Sequence, residues 1–240
     1  MASIRSAFLG AVLALTAQAQ ENPRQFDLAN GLRLIVKEDH RAPTVVHQVW
    51  YRAGSMDEVP GTTGVAHVLE HMMFKGSENV GPEEFSRVVA EAGGRENAFT
   101  SADYTAHHQQ VHRDRLPLMM RLEADRMANL AIRPREFASE IKVVMEERRW
   151  RYEDQPRWLL HEALLATAYS AHPYKWPVIG WMEDLQSMNW RDAWSWYRRW
   201  YAPNNAVVVV VGDVESERVV GLARQYYGVL ARKTIPSRKL

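Results

Sequence analysis

The stretch Gly64-Val65-Ala66-His67-Val68-Leu69-Glu70-His71-Met72-Met73-Phe74 constrains this chain more than any other, because it sets three ionisable side chains in an otherwise apolar run. On a helix, His67 and His71 lie four residues apart and Glu70 three from His67, so all three project from one face. Apolar groups occupy the rest of the cylinder, which predicts a buried helix. A buried carboxylate beside two imidazoles is costly unless something pairs with it. A divalent metal would do so, and two imidazoles one turn apart suit zinc, with Glu70 close enough to act on water held there. Two core histidines bonded to a glutamate are the competing reading. The motif alone does not separate the two, so a third ligand is needed.

A second helix supplies candidates. Pro134 opens it, and Phe137, Ile141 and Val144 define its buried stripe. At 100° per residue, Glu140 and Glu147 fall within about 60° of that stripe at Val144, whereas Glu146 points well away. Pairing with arginines at the edge of a core would explain both carboxylates. Beside a His67/His71 pair that lacks an anionic ligand, a metal explains them better.

The surrounding chain reads as follows. Phe26–Leu28 and Leu32–Val36 form two strands about an Asn30-Gly31 turn, and Thr44–Tyr51 forms a third. An amphipathic helix runs from Pro82 to Ala92 and stops at Gly93-Gly94. Asn97–Thr100 and Tyr104–His112 are further strands; alternation puts His108 and His112 on one face, in a surface or structural role. Helices are expected over Leu116–Leu130, Pro134–Tyr152, Trp158–Tyr169, Arg191–Tyr201 and Glu215–Val229. Ala206–Gly212 is a β-branched run, the mark of a strand buried on both faces or central in a sheet. Strands, then helices, then a strand and a helix argue an α+β fold rather than regular βαβ alternation.

Hydrophobic residues make up 46% of the 240, ample for a packed core. Thirty basic against 29 acidic side chains give a net charge of +1. With no basic run carrying interleaved aromatics, nothing favours nucleic acid as a partner. Residues 1–19 carry a single charge, Arg5, then an apolar run from Ala7 to Leu15 and the small-x-small triplet Ala17-Gln18-Ala19. They read as a secretory signal peptide cut after Ala19, giving a periplasmic or secreted chain that starts at Gln20. The apolar run is too short for a stable membrane span, although an uncleaved anchor is the alternative. The absence of cysteine rules out a disulfide framework and fits the periplasm.

His67-Val68-Leu69-Glu70-His71, followed 76 residues later by Glu147 in Val-Val-Met-Glu-Glu-Arg-Arg, resembles the H-x-x-E-H…E pattern of the M16 (pitrilysin and mitochondrial-processing-peptidase-like) zinc metallopeptidases. Gly54-x-x-x-Glu58, Asn97-Ala98-Phe99-Thr100, His172-Pro173-Tyr174, Gly180 and Tyr201-x-Pro203-Asn204-Asn205 extend the likeness along most of the chain. The resemblance implies a mixed, mainly antiparallel sheet packed against several helices, the LuxS/MPP-like metallohydrolase fold. It implies one zinc held by His67, His71 and Glu147, with Glu70 as general base and Glu140 behind the ligands orienting a histidine. Asn97, Ala98, Phe99 and Thr100 would form an edge strand that binds an extended peptide, so the implied substrate is a peptide or small unfolded protein. Members of the bacterial type have two homologous halves, and residues 20–240 look like the first. A fragment, a half-size subunit completed by a homodimer or by a partner chain carrying the second half, and a zinc- and peptide-binding domain of slow turnover are the three expectations. Trp176, Trp181, Trp190, Trp194, Trp196 and Trp200 are dense enough to place most in the core and some against such a partner.

Overall fold

A computed structural model describes residues 22–238, so the expected signal peptide lies outside the described residues. Six strands, β1 (Arg24–Asp27), β2 (Arg33–Glu38), β3 (Thr44–Tyr51), β4 (Arg95–Thr100), β5 (Thr105–His112) and β6 (Ala206–Gly212), join in one sheet of order β1-β2-β6-β3-β5-β4. Short loops make the neighbours β1/β2 and β4/β5 antiparallel. The late strand β6 inserts between β2 and β3, parallel to the first (Leu34 opposite Val208) and antiparallel to the second (Gln48 opposite Val209). The sheet is therefore mixed and mainly antiparallel, and β4 is an open edge.

Period-2 alternation decides which side of the sheet is dry. Leu34, Val36, Val45, Val49, Tyr51, Val111, Val208 and Val210 are buried on one face, under the helices. Their alternates Ile35, Val46, Val207, Val209 and Val211 are only half-buried. The β6 run is thus central, as its composition suggests, but buried on one face only, the face that carries the helical core.

The helices are α1 (Val65–Met72), α2 (Glu84–Glu91), α3 (Leu116–Asn129), α4 (Pro134–Arg148), α5 (Pro156–Ala168), α6 (Met182–Ser187), α7 (Trp190–Trp200) and α8 (Ser216–Tyr226). None of the described helices is long and apolar enough to cross a membrane. All of α1 except His71 is buried, and it packs against α4, α7 and β4. Its entry is fixed from two sides. Glu58, itself buried, accepts N–H bonds from Gly64 (2.8 Å) and Ala66 (2.9 Å), a cap that Gly64 has no side chain to supply. Burial pushes the Glu58 carboxyl up to about 8 against the lowering effect of those two bonds. Gly64 (φ 87°) also lies back to back with Gly180 (φ 86°); a Cβ on Gly180 would meet the Thr63 carbonyl at 2.3 Å, which leaves room for glycine only.

Three departures from the sequence reading concern the helical layer. The helix from Pro134 keeps its α geometry only to Arg148 and widens into a π-type turn over Arg149–Glu153. The short α6 lacks a long apolar period and is held by Asp184, which accepts from both the Thr63 N–H (3.0 Å) and its hydroxyl (2.5 Å). The exposed tryptophans are Trp150 (64%) and Trp158 (44%), on the π-type turn and α5, whereas Trp176, Trp196 and Trp200 are buried. His107 of β5 is fully buried between the sheet and the helices, and desolvation lowers it to about 3.

Candidate metal centre and peptide cleft

Helix α1 and helix α4 cross with their ionisable faces together. One turn of α1 brings the His67 and His71 rings to 4.7 Å between centroids. Both Nε2 atoms face Glu147 Oε2, at 3.7 Å from His67 and 3.3 Å from His71. Among the described residues, His67, His71 and Glu147 are the cluster whose donor atoms all lie within 4.8 Å of one another. Two imidazole nitrogens and one carboxylate oxygen converging in this way form a donor set suited to zinc, with room for a fourth ligand.

Two of the three are held from behind, whereas the buried Nδ1 of His67 has no partner among the described residues. His71 Nδ1 pairs with Glu140 Oε1 at 2.9 Å, and Lys75 Nζ holds the other Glu140 oxygen at 2.8 Å. Glu140 therefore directs His71 Nε2 at Glu147. Arg151, delivered by the π-type turn, reaches Glu147 Oε1 at 3.0 Å and leaves Oε2 to the histidines. Burial opposes ionisation of Glu140 and Glu147, but their partners, His71 foremost, draw both below the usual carboxylate range. Burial likewise opposes the charged form of His71, yet the hydrogen bonds it donates to Glu140 and Glu147 raise it to about 9. His67, without such a carboxylate behind it, is pushed by burial and by neighbouring His71 down to about 4. The pair is thus set up to share one positive charge facing Glu147, the electrostatic role a divalent ion would take over.

Glu70 stands beside this cluster, raised by burial and lowered by the Thr100 hydroxyl, which donates to Oε2 at 2.5 Å. Thr100 itself sits 3.4 Å from Thr105 Oγ1, whose hydroxyl donates to the Ala53 carbonyl at 3.1 Å. The side chain of Thr100 is thus committed to Glu70, and only its backbone faces the open edge.

The cluster forms the floor of a cleft of about 940 Å³. Asn97, Ala98, Phe99 and Thr100 of β4 line one wall; Val143, Glu146, Trp150, Arg151 and Tyr152 line another, and Val178 and Ile179 close an end. The arrangement brings His67, Glu70, His71, Glu147 and the Asn97, Ala98, Phe99 and Thr100 strand to one cleft. Glu140 supports the cluster from behind the cleft. Arg151 and the hydroxyl contact of Thr100 were not foreseen: one depends on the π-type turn, the other on the register that faces Thr100 with Thr105.

Residues 33–180 match the family described as Insulinase (Peptidase family M16). The chain belongs to peptidase family M16. Residues 187–239 match a second description, Peptidase M16 inactive domain. Zinc protease PqqE of Helicobacter pylori is 37% identical over 214 residues, covering 88% of this chain and 48% of that protein. The uncharacterized zinc protease YmxG of Bacillus subtilis is 29% identical over 205 residues, or 85% of this chain and 50% of that one. Among solved structures, a protease from Helicobacter pylori superposes with a TM-score of 0.87 at 36% identity, over 90% of this chain and 53% of that chain. The first half of the periplasmic protease PqqL from Escherichia coli gives a TM-score of 0.84 at 24% identity, over 92% and 49%, a likeness of fold. The chain spans about half the length of the curated M16 relatives it matches.

Proposed function

We propose that this chain carries the catalytic zinc site of an exported endopeptidase that cuts peptides or small unfolded proteins. The observation that carries the reading is the convergence of His67 Nε2, His71 Nε2 and Glu147 Oε2 beside Glu70, on the floor of a cleft walled by an open strand edge. His67, His71 and Glu147 would hold one zinc per chain. When bound, the metal gives the site a Lewis acid that acidifies water and polarises a carbonyl.

The chain's own groups do the rest. Glu70, held through Oε2 by Thr100, takes a proton from the attacking water on Oε1. As the amide C–N bond breaks, it returns that proton to the leaving nitrogen, so water is divided between the new carboxylate and the new amine. Glu140 keeps His71 in the tautomer that presents Nε2 to the cleft. The unpaired N–H and C=O groups of β4 bind the substrate backbone as an added strand, with Asn97, Ala98, Phe99 and Thr100 in register with the cluster. Export rests on the signal-peptide pattern of residues 1–19, and a neighbour of the same fold is itself a periplasmic protease.

A second reading keeps the site and makes turnover depend on a further half, supplied by a partner chain or within a homodimer. Its support is the exposed apolar rim of Val143 (49%), Trp150 (64%), Leu160 (72%) and Leu164 (59%), together with the half-length match to the relatives. Hydrolysis of an unstructured peptide by the purified chain, with Glu70→Gln and chelator-treated samples alongside, decides between the two. Cleavage lost in both controls supports self-sufficient catalysis; zinc retained without cleavage assigns turnover to a completed assembly.

A further inference from the structure

The Tyr201-x-Pro203-Asn204-Asn205 stretch sets a buried ring beside the strand pair that carries Thr105. Tyr201 ends α7 and is fully buried. Its N–H donates to the Tyr197 carbonyl (3.0 Å) and its own carbonyl accepts from Lys233 Nζ (2.8 Å), so the backbone is fixed on both sides. The ring stacks on that of Tyr51, 3.9 Å between centroids and 25° between planes, and Tyr51 faces Thr105 across β3 and β5. Both phenol hydroxyls are buried and complete no hydrogen bond among the described residues. Buried polar groups are ordinarily paired, so each asks for an explanation. Burial raises both far above the ordinary phenol range, which keeps them donors. They differ in what acts on them next. For Tyr201 it is Thr105, through hydrogen bonding, and then the charge of Glu70; for Tyr51 it is Glu123.

Thr105 is fully buried and can take what the Tyr201 hydroxyl offers. A threonine oxygen carries one proton and two lone pairs. The Thr105 proton has two acceptors in reach, the Ala53 carbonyl at 3.1 Å and Thr100 Oγ1 at 3.4 Å. Thr100 gives its own proton to Glu70 Oε2 (2.5 Å), so between the two threonines Thr105 is the donor. We propose that Tyr201 is a positioning residue for Glu70: its hydroxyl donates to Thr105, which donates to Thr100, which donates to the carboxylate. All three protons point the same way and each bond polarises the next, which strengthens the last, charge-assisted one. The inference rests on the peptidase reading, in which Glu70 takes a proton through its other oxygen. It adds a residue of α7 to the groups that hold the carboxylate in place.

The test compares the zinc-loaded wild-type chain with Tyr201→Phe, Tyr51→Phe, Thr105→Val and Thr105→Ser. Tyr201→Phe removes one oxygen and keeps the stacked ring. Tyr51→Phe does the same to the other hydroxyl of the pair and controls for packing. Proton NMR reads the Thr100 hydroxyl, which the contact with Glu70 protects from exchange and moves downfield. The expected result is an upfield shift and faster exchange of that proton in Tyr201→Phe and Thr105→Val, with wild-type behaviour in Tyr51→Phe and Thr105→Ser. Peptide hydrolysis should follow the same order, with kcat about two- to fourfold lower in the first two at unchanged KM and zinc content. A Thr100 proton that is unprotected in wild type, that does not respond to Tyr201→Phe, or that moves equally in Tyr51→Phe would overturn the relay and leave the peptidase reading standing. The expected proton shifts in a chain that cleaves no peptide would uphold the relay and count against catalysis by this chain.

Discussion

Removing the Glu58 carboxylate tests whether the metal-site helix is anchored from outside itself. Glu58 sits seven residues before the start of α1, is 5% exposed, and accepts the N–H groups of Gly64 and Ala66. Glu58→Ala leaves two buried donors without acceptors and opens a void. At about 1–3 kcal/mol for each of the two unsatisfied groups, the loss is about 2–6 kcal/mol. That is a large part of the ~5–15 kcal/mol of a typical domain. In a chain of this size each kcal/mol moves the melting point by about 2–4 °C. Glu58→Gln keeps one acceptor oxygen but turns its NH2 towards the other backbone N–H, so it should lose about 1–3 kcal/mol, less than Glu58→Ala. Urea unfolding of the three proteins at constant m-value gives the differences directly. A loss under about 0.5 kcal/mol in Glu58→Ala would refute the anchoring argument, since it lies within the range of an ordinary surface substitution.

Three further predictions concern the site and its surroundings. Glu140→Ala should weaken zinc binding roughly 10- to 100-fold by freeing the His71 ring, and an unchanged affinity in competition with a chelating dye would remove Glu140 from the site. Thr100→Val should lower kcat about tenfold, the value of one hydrogen bond to a charged group, at unchanged zinc content, with Thr100→Ser restoring it; equal rates in Val and Ser variants would contradict the Glu70 contact. His40 is held by Asp213 at 2.7 Å and lies 3.5 Å from Glu38, and the Asp213 hydrogen bond raises it above its ordinary value. Its stabilising effect is therefore complete below about pH 6.5 and is lost as pH rises through the raised folded value. The melting-point gap between wild type and His40→Gln should narrow as pH rises above about 6.5; a constant gap would exclude the linkage.

Much of the site could be read from local periodicity. His67, Glu70 and His71 share a face through helical spacing alone, and Glu140 and Glu147 follow from the stripe of Phe137, Ile141 and Val144. The strands β3 and β6 and most helix starts were equally plain, because apolar period and proline punctuation are local signals. What was not legible depends on contacts between distant segments. The insertion of β6 between β2 and β3 joins residues more than 150 positions apart. The turn of the Thr100 hydroxyl towards Glu70 depends on its pairing with Thr105 and on the placing of α1 against β4. The π-type turn leaves no mark in composition, yet it carries Arg151 to Glu147 and exposes Trp150. Counting tryptophans pointed to the region of residues 176–200, whereas the exposed rings lie earlier, where α5 lacks a covering layer.

The central claim is that His67, His71 and Glu147 together hold the metal while Glu70 does not. The measurement that tests it most directly is zinc content and affinity of the folded wild type beside His67→Ala, His71→Ala, Glu147→Ala and Glu70→Gln. The account predicts about one zinc per chain in wild type and in Glu70→Gln, and loss of tight binding in each of the other three. Full zinc binding retained in Glu147→Ala, or abolished in a folded Glu70→Gln, would contradict it.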